Sequence, residues 1–107
     1  MIKILIAGNF CPYRIPITDI THFEHVSQVV KEADYSIVNL ECPIDDARIG
    51  KPINKIGPSL RGSLDGLSIL SDIGFRCVTL ANNHFKDYSA EGCTSTFNAL
   101  KKEILIM

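Results

Sequence analysis

The feature that most constrains this chain is the alternation of short apolar runs with segments of helical period, in the order β-α-β-loop-α-β-α-β. Ile2 to Ala7 is an apolar run broken only by Lys3 and closed by Gly8, the pattern of a strand buried on both faces. Tyr35 to Glu41 and Phe75 to Ala81 read as two further strands, and Ile104 to Met107 begins a fourth. Between them, Phe23, Val26, Val29, Val30 and Ala33 recur at helical spacing after a Thr21-x-x-Glu24 capping box. Leu64, Leu67, Leu70 and Ile73 follow Ser63 as a cap and stop at Gly74. Cys93, Phe97 and Leu100 follow Ser89, with Lys101 and Lys102 suiting the helix dipole. Strands alternating with helices specify a mainly parallel sheet with right-handed crossovers. The fold class is therefore α/β.

Pro12 and Pro16 interrupt regular structure after the first strand. Residues 45–62 form a long connection containing Gly50, Pro52, Gly57 and Pro58, a length that suits function better than packing.

A chain of 107 residues makes one domain at most. Lys and Arg number 11 against 12 Asp and Glu, a net charge of -1, which excludes a nucleic-acid binder relying on bulk positive charge. The apolar runs fall far short of the ~20 residues that span a bilayer. The first strand begins directly after Met1, with no leader-like apolar core, so a cytoplasmic location is expected. In that compartment Cys11, Cys42, Cys77 and Cys93, none in a Cys-x-x-Cys pair, read as reduced thiols. His22 and His25 have a metal-pair spacing on a first helical turn. With no further ligand suggested nearby, solvated side chains are the simpler reading.

Ligands of a parallel α/β sheet bind beyond the carboxyl ends of the strands. Three such ends carry polar groups here: Gly8-Asn9, Asn39-Leu40-Glu41 and Asn82-Asn83-His84. Glu41 and His84 are metal-ligand or acid–base types, and asparagine offers an amide oxygen to a hard cation. The alternative is that these groups cap loops and turns. Arg14, Arg48, Lys51, Lys55 and Arg61 lie in the loops near that edge, where they either hold an anionic substrate or form a solvated surface. A dinucleotide fingerprint, a P-loop and a nucleophile elbow are all absent.

The run Val38-Asn39-Leu40-Glu41-Cys42-Pro43 resembles the Asn-Leu-Glu motif of the capsule synthesis protein family called CapA, also named for poly-gamma-glutamate capsule biosynthesis. Leu80-Ala81-Asn82-Asn83-His84-Phe85-Lys86-Asp87-Tyr88 resembles that family's Ala-Asn-Asn-His-x-x-Asp-Tyr/Phe motif. Ile6-Ala7-Gly8-Asn9-Phe10 is similar to its Gly-Asp opening, and a helix bearing Thr96 and Leu100 follows in the family's order. The resemblance implies a partial metallophosphoesterase-like sandwich, with residues 1–107 as the N-terminal part of a single domain. It implies Asn9, Glu41 and Asn83 as metal ligands, His84 as an acid or substrate donor, and Asp87 as its support. The implied cofactor is a divalent metal (Mn, Zn or Mg), bound weakly. The implied substrate is an anionic polymer or a phosphate-containing compound, and the implied activity a metal-dependent hydrolase or transferase. The other reading is a non-catalytic remnant or binding module that keeps the fold.

Two departures from the pattern matter. Asn9 stands where the family has Asp, and Ser89 follows Tyr88 where a glycine is expected. The family's downstream histidine motifs also lie beyond this chain. A sheet without its remaining layers leaves apolar surface open, so self-association is expected.

Overall fold

The structure is a computed structural model and describes residues 1–13, 20–103 and 105–106. Four strands, β1 (Ile4–Phe10), β2 (Tyr35–Leu40), β3 (Cys77–Thr79) and β4 (Leu105–Ile106), form one parallel sheet in the order β1-β2-β3-β4. Three helices connect them: α1 (Glu24–Glu32) after a 3-10 turn at Ile20–Phe23, α2 (Leu64–Ile73) and α3 (Ser89–Glu103). The α/β class and parallel sheet expected from the sequence are present. Arg14 and Pro16, and the ends of the fourth strand at Ile104 and Met107, lie outside the described residues.

A sheet whose strands run in chain order, with crossovers of one hand, receives all its helices on one face. Val38, Leu40 and Val78 from the strands accordingly share a single core with Val30, Leu67, Leu70, Ile73, Ala99 and Leu100 from the helices. Among the described residues, none of the helices covers the other face. Along β2, Ser36, Val38 and Leu40 are buried while Tyr35 is exposed. On β1, Ile4 and Ile6 are 62% and 77% exposed, so the first strand is not buried on both faces as its apolar run suggests.

Local signals hold at α2 and fail at α1. The Ser63 hydroxyl accepts a bond from the Gly66 amide at 3.1 Å. Gly74 ends α2 in the left-handed region, at φ 113°, where a side chain is costly. At α1 the cap position is Phe23, with no side-chain cap bond, so Thr21 and Glu24 do not form the capping box. The 3-10 turn occupies those residues instead. The buried stripe of α1 is Ser27 and Val30, while Val26 and Val29 are exposed. The Ser27 hydroxyl reaches the Ile73 carbonyl at 2.8 Å, tying α1 to the end of α2. Ser89 is no cap either. It sits at φ 66° and its hydroxyl donates to the Lys51 carbonyl at 2.6 Å. On α3 the inward residues are Thr96, Ala99 and Leu100, while Phe97 is exposed.

The register of β1 against β2 slips once. Ile6 pairs with Ile37 and Asn9 with Asn39, so Ala7 and Gly8 together oppose Val38 alone. This is a β-bulge. In an unbroken strand, residues 6 and 9 would point to opposite faces. The extra residue returns Asn9 to the same face as Ile6. The strand also continues through Gly8 to Phe10 rather than ending at Ala7.

Candidate active site at the strand ends

The bulge aligns Asn9 with Asn39, and a chain of amides crosses the ends of the strands. Asn39 Nδ2 donates to Asn9 Oδ1 at 2.8 Å. Asn82 Nδ2, just beyond β3, donates to Asn39 Oδ1 at 3.1 Å and to the Leu40 carbonyl at 2.8 Å. Asn82 Oδ1 in turn accepts the His84 amide at 2.9 Å. The carboxyl ends of β1 and β2 and the segment after β3 are thus cross-linked at one edge of the sheet.

The two neighbouring asparagines have different positions. Asn82 is committed to the backbone and the amide chain. Asn83 is exposed, and its side chain makes no hydrogen bond among the described residues. The Glu41 carboxylate, half-buried, likewise makes no hydrogen bond or ion pair among them, although its amide extends the strand ladder to the Phe10 carbonyl at 2.9 Å.

His84 is held from behind by Asp87. His84 Nδ1 lies 2.7 Å from Asp87 Oδ2, the Leu60 amide donates to the same oxygen at 2.7 Å, and Lys55 Nζ pairs with Oδ1. The Asp87 side chain is fully buried. Burial pushes its carboxyl up. The Lys55 ammonium, the Leu60 amide and His84 more than offset this and hold it below the ordinary carboxylate value. An ionised Asp87 only accepts, so the proton between the two groups resides on His84 Nδ1. His84 Nε2 makes no hydrogen bond among the described residues.

A second buried carboxylate organises the long connection. Asp45 accepts the Gly50 and Ile49 amides at 2.8 and 3.1 Å and a bond from Arg61 at 3.2 Å. Burial raises its pKa, and the two amides and the guanidinium lower it further than burial raises it. Arg61 also stacks over the Tyr88 ring, 3.9 Å from its centroid. Residues 45–62 are therefore a structured cover whose Lys55 and Leu60 reach the site, tied down by Asp45 and Asp87. Sequence reasoning placed Lys55 only among general anion-holding loop cations and did not single out Asp45. Asp45 lies 16 residues from Arg61, and Lys55 lies 32 from Asp87, too far apart for any local pattern to reveal the pairings.

As a metal site, the arrangement offers one free carboxylate, Glu41, with amide oxygens from Asn9 and Asn83. No group of three or more His, Cys, Asp or Glu side chains suited to a metal occurs among the described residues. This donor set suits an oxygen-preferring cation held weakly, because affinity for hard cations rises with ligand charge.

The open parallel sheet, with its polar groups gathered at the carboxyl edge and a histidine backed by a buried aspartate, defines an α/β protein consistent with part of a metallophosphoesterase-like fold. The family model described as "Bacterial capsule synthesis protein PGA_cap" matches residues 13–107, and the chain belongs to this family. It is similar to the "Capsule biosynthesis protein CapA" of Bacillus anthracis, 33% identical over 82 residues, covering 75% of this chain and 20% of the relative. It is also similar to the "PGA biosynthesis protein CapA" of Bacillus subtilis (strain 168), 28% identical over 83 residues, covering 78% of this chain and 22% of the relative. The chain thus spans about a fifth of the length of these relatives. Glu41, Asn83, His84 and Asp87 fall within the matched residues, whereas Asn9 and all of β1 precede them. No described helix is long and apolar enough to cross a membrane.

Proposed function

We propose that this chain contributes the strand-end half-site of a metal-dependent phosphoesterase-like hydrolase or transferase in poly-gamma-glutamate capsule biosynthesis. The observation that carries the reading is the His84–Asp87 pair. Asp87 engages Nδ1 and leaves Nε2 without a hydrogen bond among the described residues, and the side chains of Glu41 and Asn83 are uncommitted there too. In this reading His84 exchanges a proton with a leaving or attacking oxygen through Nε2. Asp87 positions it, and Lys55 keeps Asp87 ionised. Glu41, Asn9 and Asn83 would hold a divalent cation, which when bound supplies positive charge to a substrate oxygen. Lys51 and Arg48, exposed on the cover, suit an anionic polymer or a phosphate-containing substrate.

Manganese-dependent cleavage of a generic aryl phosphodiester tests the proposal. Turnover that requires manganese and is abolished by His84→Gln supports it. Manganese-independent turnover, or turnover indifferent to His84, sinks it.

One observation favours a second reading, a binding module that keeps the fold without catalysis. Position 9 carries a neutral amide, already engaged by Asn39, where the family pattern has a carboxylate. Retained binding of poly-gamma-glutamate without any turnover would select this reading.

A further inference from the structure

Phe85 and Lys86, the two residues between His84 and Asp87, line a groove against α3. Its helical wall includes Cys93 and Phe97, four residues apart and so on one face of the helix. Ile53 of the long connection adds a further wall, fixed by the bond of its amide to the Asp87 carbonyl at 2.9 Å. Phe85 and Phe97 meet edge to face, with ring centroids 5.7 Å apart and planes at 85°. Phe97 stays 40% exposed and Ile53 38% exposed, although both are large apolar side chains. The groove has a volume of about 610 Å³, within the ~300–1,000 Å³ of small-molecule sites. Among the described residues that line it, Lys86 carries the one charge, and it makes no ion pair among them. Burial pushes the Cys93 thiol up and the Lys86 ammonium draws it part of the way back, so that charge is felt inside the groove.

We propose that this groove binds a small aromatic carboxylate, its ring system on Phe85 and Phe97 and its anionic group on Lys86. Two rings meeting at a right angle leave a face and an edge on which a third ring can pack in the same geometry. The exposed surface of Phe97 and Ile53 is the area that such a body removes from water. The preference for an anion over a neutral ring follows from the charge. An ammonium beside apolar walls, with no carboxylate among the described residues lining the groove, gains a charge-assisted hydrogen bond from an anionic ligand and none of that strength from a neutral one. The lysine stem lies along apolar surface while its head reaches the ligand. The groove is also built before any ligand arrives. The Ser89 hydroxyl bonds to the Lys51 carbonyl at 2.6 Å, and with the Ile53 amide bond this holds the long connection against the start of α3, so little ordering remains for binding to supply.

Calorimetric titration of the full chain with naphthoate is the test, with naphthylmethanol as the neutral analogue. The parent should bind the carboxylate about tenfold more tightly than the alcohol. Saturation with naphthoate should protect Cys93, a partly exposed free thiol, from iodoacetamide while Cys11 reacts as before. Lys86→Gln, at an exposed position, should bring naphthoate down to the affinity of the alcohol and leave the alcohol unchanged. Phe97→Ser should weaken both by about tenfold, whereas Ile6→Lys, on the edge strand β1, should weaken neither. Binding that Ile6→Lys abolishes, or that leaves Cys93 fully reactive, would place the ligand elsewhere and overturn the proposal. Equal affinity for acid and alcohol, naphthoate binding indifferent to Lys86→Gln, or no binding of either compound would overturn it as well.

Discussion

Asn39 donates its side-chain amide to Asn9 across β1 and β2 at 2.8 Å, and this bond decides what position 9 can offer a cation. One oxygen of Asn9 serves both Asn39 and any ligand, and it carries no formal charge. Asn9→Asp would accept the same bond on one oxygen and leave a second, charged oxygen beside Glu41. Calorimetric titration with manganese should show affinity rising about tenfold or more, as added ligand charge does for hard cations. Equal affinity in both forms would remove position 9 from the site.

Asp87 joins the cover, the His84 loop and Lys55 through one buried carboxylate. Removing its charge leaves Lys55 facing a neutral amide in a partly buried setting. Asp87→Asn should therefore cost about 3 kcal/mol in urea denaturation, the range for breaking a buried pair from one side. A change within experimental error would mean that the cover is held elsewhere.

The acid limb of stability should depend on the same two carboxylates. Asp45 and Asp87 are both lowered from the ordinary value of 3.8. A carboxyl lowered by folding stabilises the protein fully above its unfolded pKa and loses that contribution as pH falls through the folded value. Urea midpoints should thus hold level from neutrality to about pH 5 and drop below it. Asp45→Asn and Asp87→Asn should each flatten that drop, while lowering stability at neutral pH. A drop of unchanged steepness in both variants would assign the acid sensitivity to other groups.

Backbone geometry sets two further tests. Ser89 lies at φ 66°, in the region that L residues enter at a cost of roughly 1–2 kcal/mol. Ser89→Gly should match or exceed the stability of the parent despite losing the bond to Lys51. Ser89→Val should lose about 2 kcal/mol, because a β-branched side chain tolerates this region worst. At Gly50 a Cβ would meet the Tyr88 carbonyl oxygen at 2.3 Å, whereas at Gly8 it would meet nothing within 4 Å. Gly50→Ala should cost about 2 kcal/mol or more by overpacking, with Gly8→Ala near neutral. Equal effects at the two glycines would contradict the packing of the cover against Tyr88.

The bare sheet face should make the chain associate. Ile4, Ile6 and Tyr35 share it, and β1 is an open edge. Size-exclusion chromatography with light scattering should report a mass above that of one chain, falling when Ile6→Lys places a charge on that edge. A monodisperse monomer in both forms would argue against this surface.

Much of this architecture is legible in the sequence wherever the determining interactions are local. Ser63 and Gly74 bracket α2 because a cap and a left-handed stop act within a turn of the helix. The strand-end clusters around Asn9, Glu41 and His84 are legible because chain order and crossover handedness place them at one edge. The failures have longer range. The Thr21–Glu24 spacing satisfies a local rule, yet the preceding 3-10 turn takes its place. Val26 and Val29 fit a helical stripe, but α1 lies at the edge of the layer and turns Ser27 inward to the Ile73 carbonyl. Asn82 and Asn83 are equivalent on paper, and only the approach of β2 distinguishes the committed amide from the free one. The pairings of Lys55 with Asp87 and of Arg61 with Asp45 depend on how the long connection folds back, which no periodicity encodes.

The bulge at Ala7 and Gly8 gives this part of the chain one residue more than its pairing needs. Two residues face one across the β1–β2 pair, so one of them is surplus to the alternation that decides which side chains face the helices. Loss of one of them would close the bulge and keep Asn9 opposite Asn39, whereas loss of both would rotate everything after it by half a pleat, turning Asn9 toward the helices and carrying Phe10 out of the core. Tolerance of deletion in this stretch is therefore a matter of counting: removal of one residue should pass, and removal of both should disconnect the first strand from the amide chain.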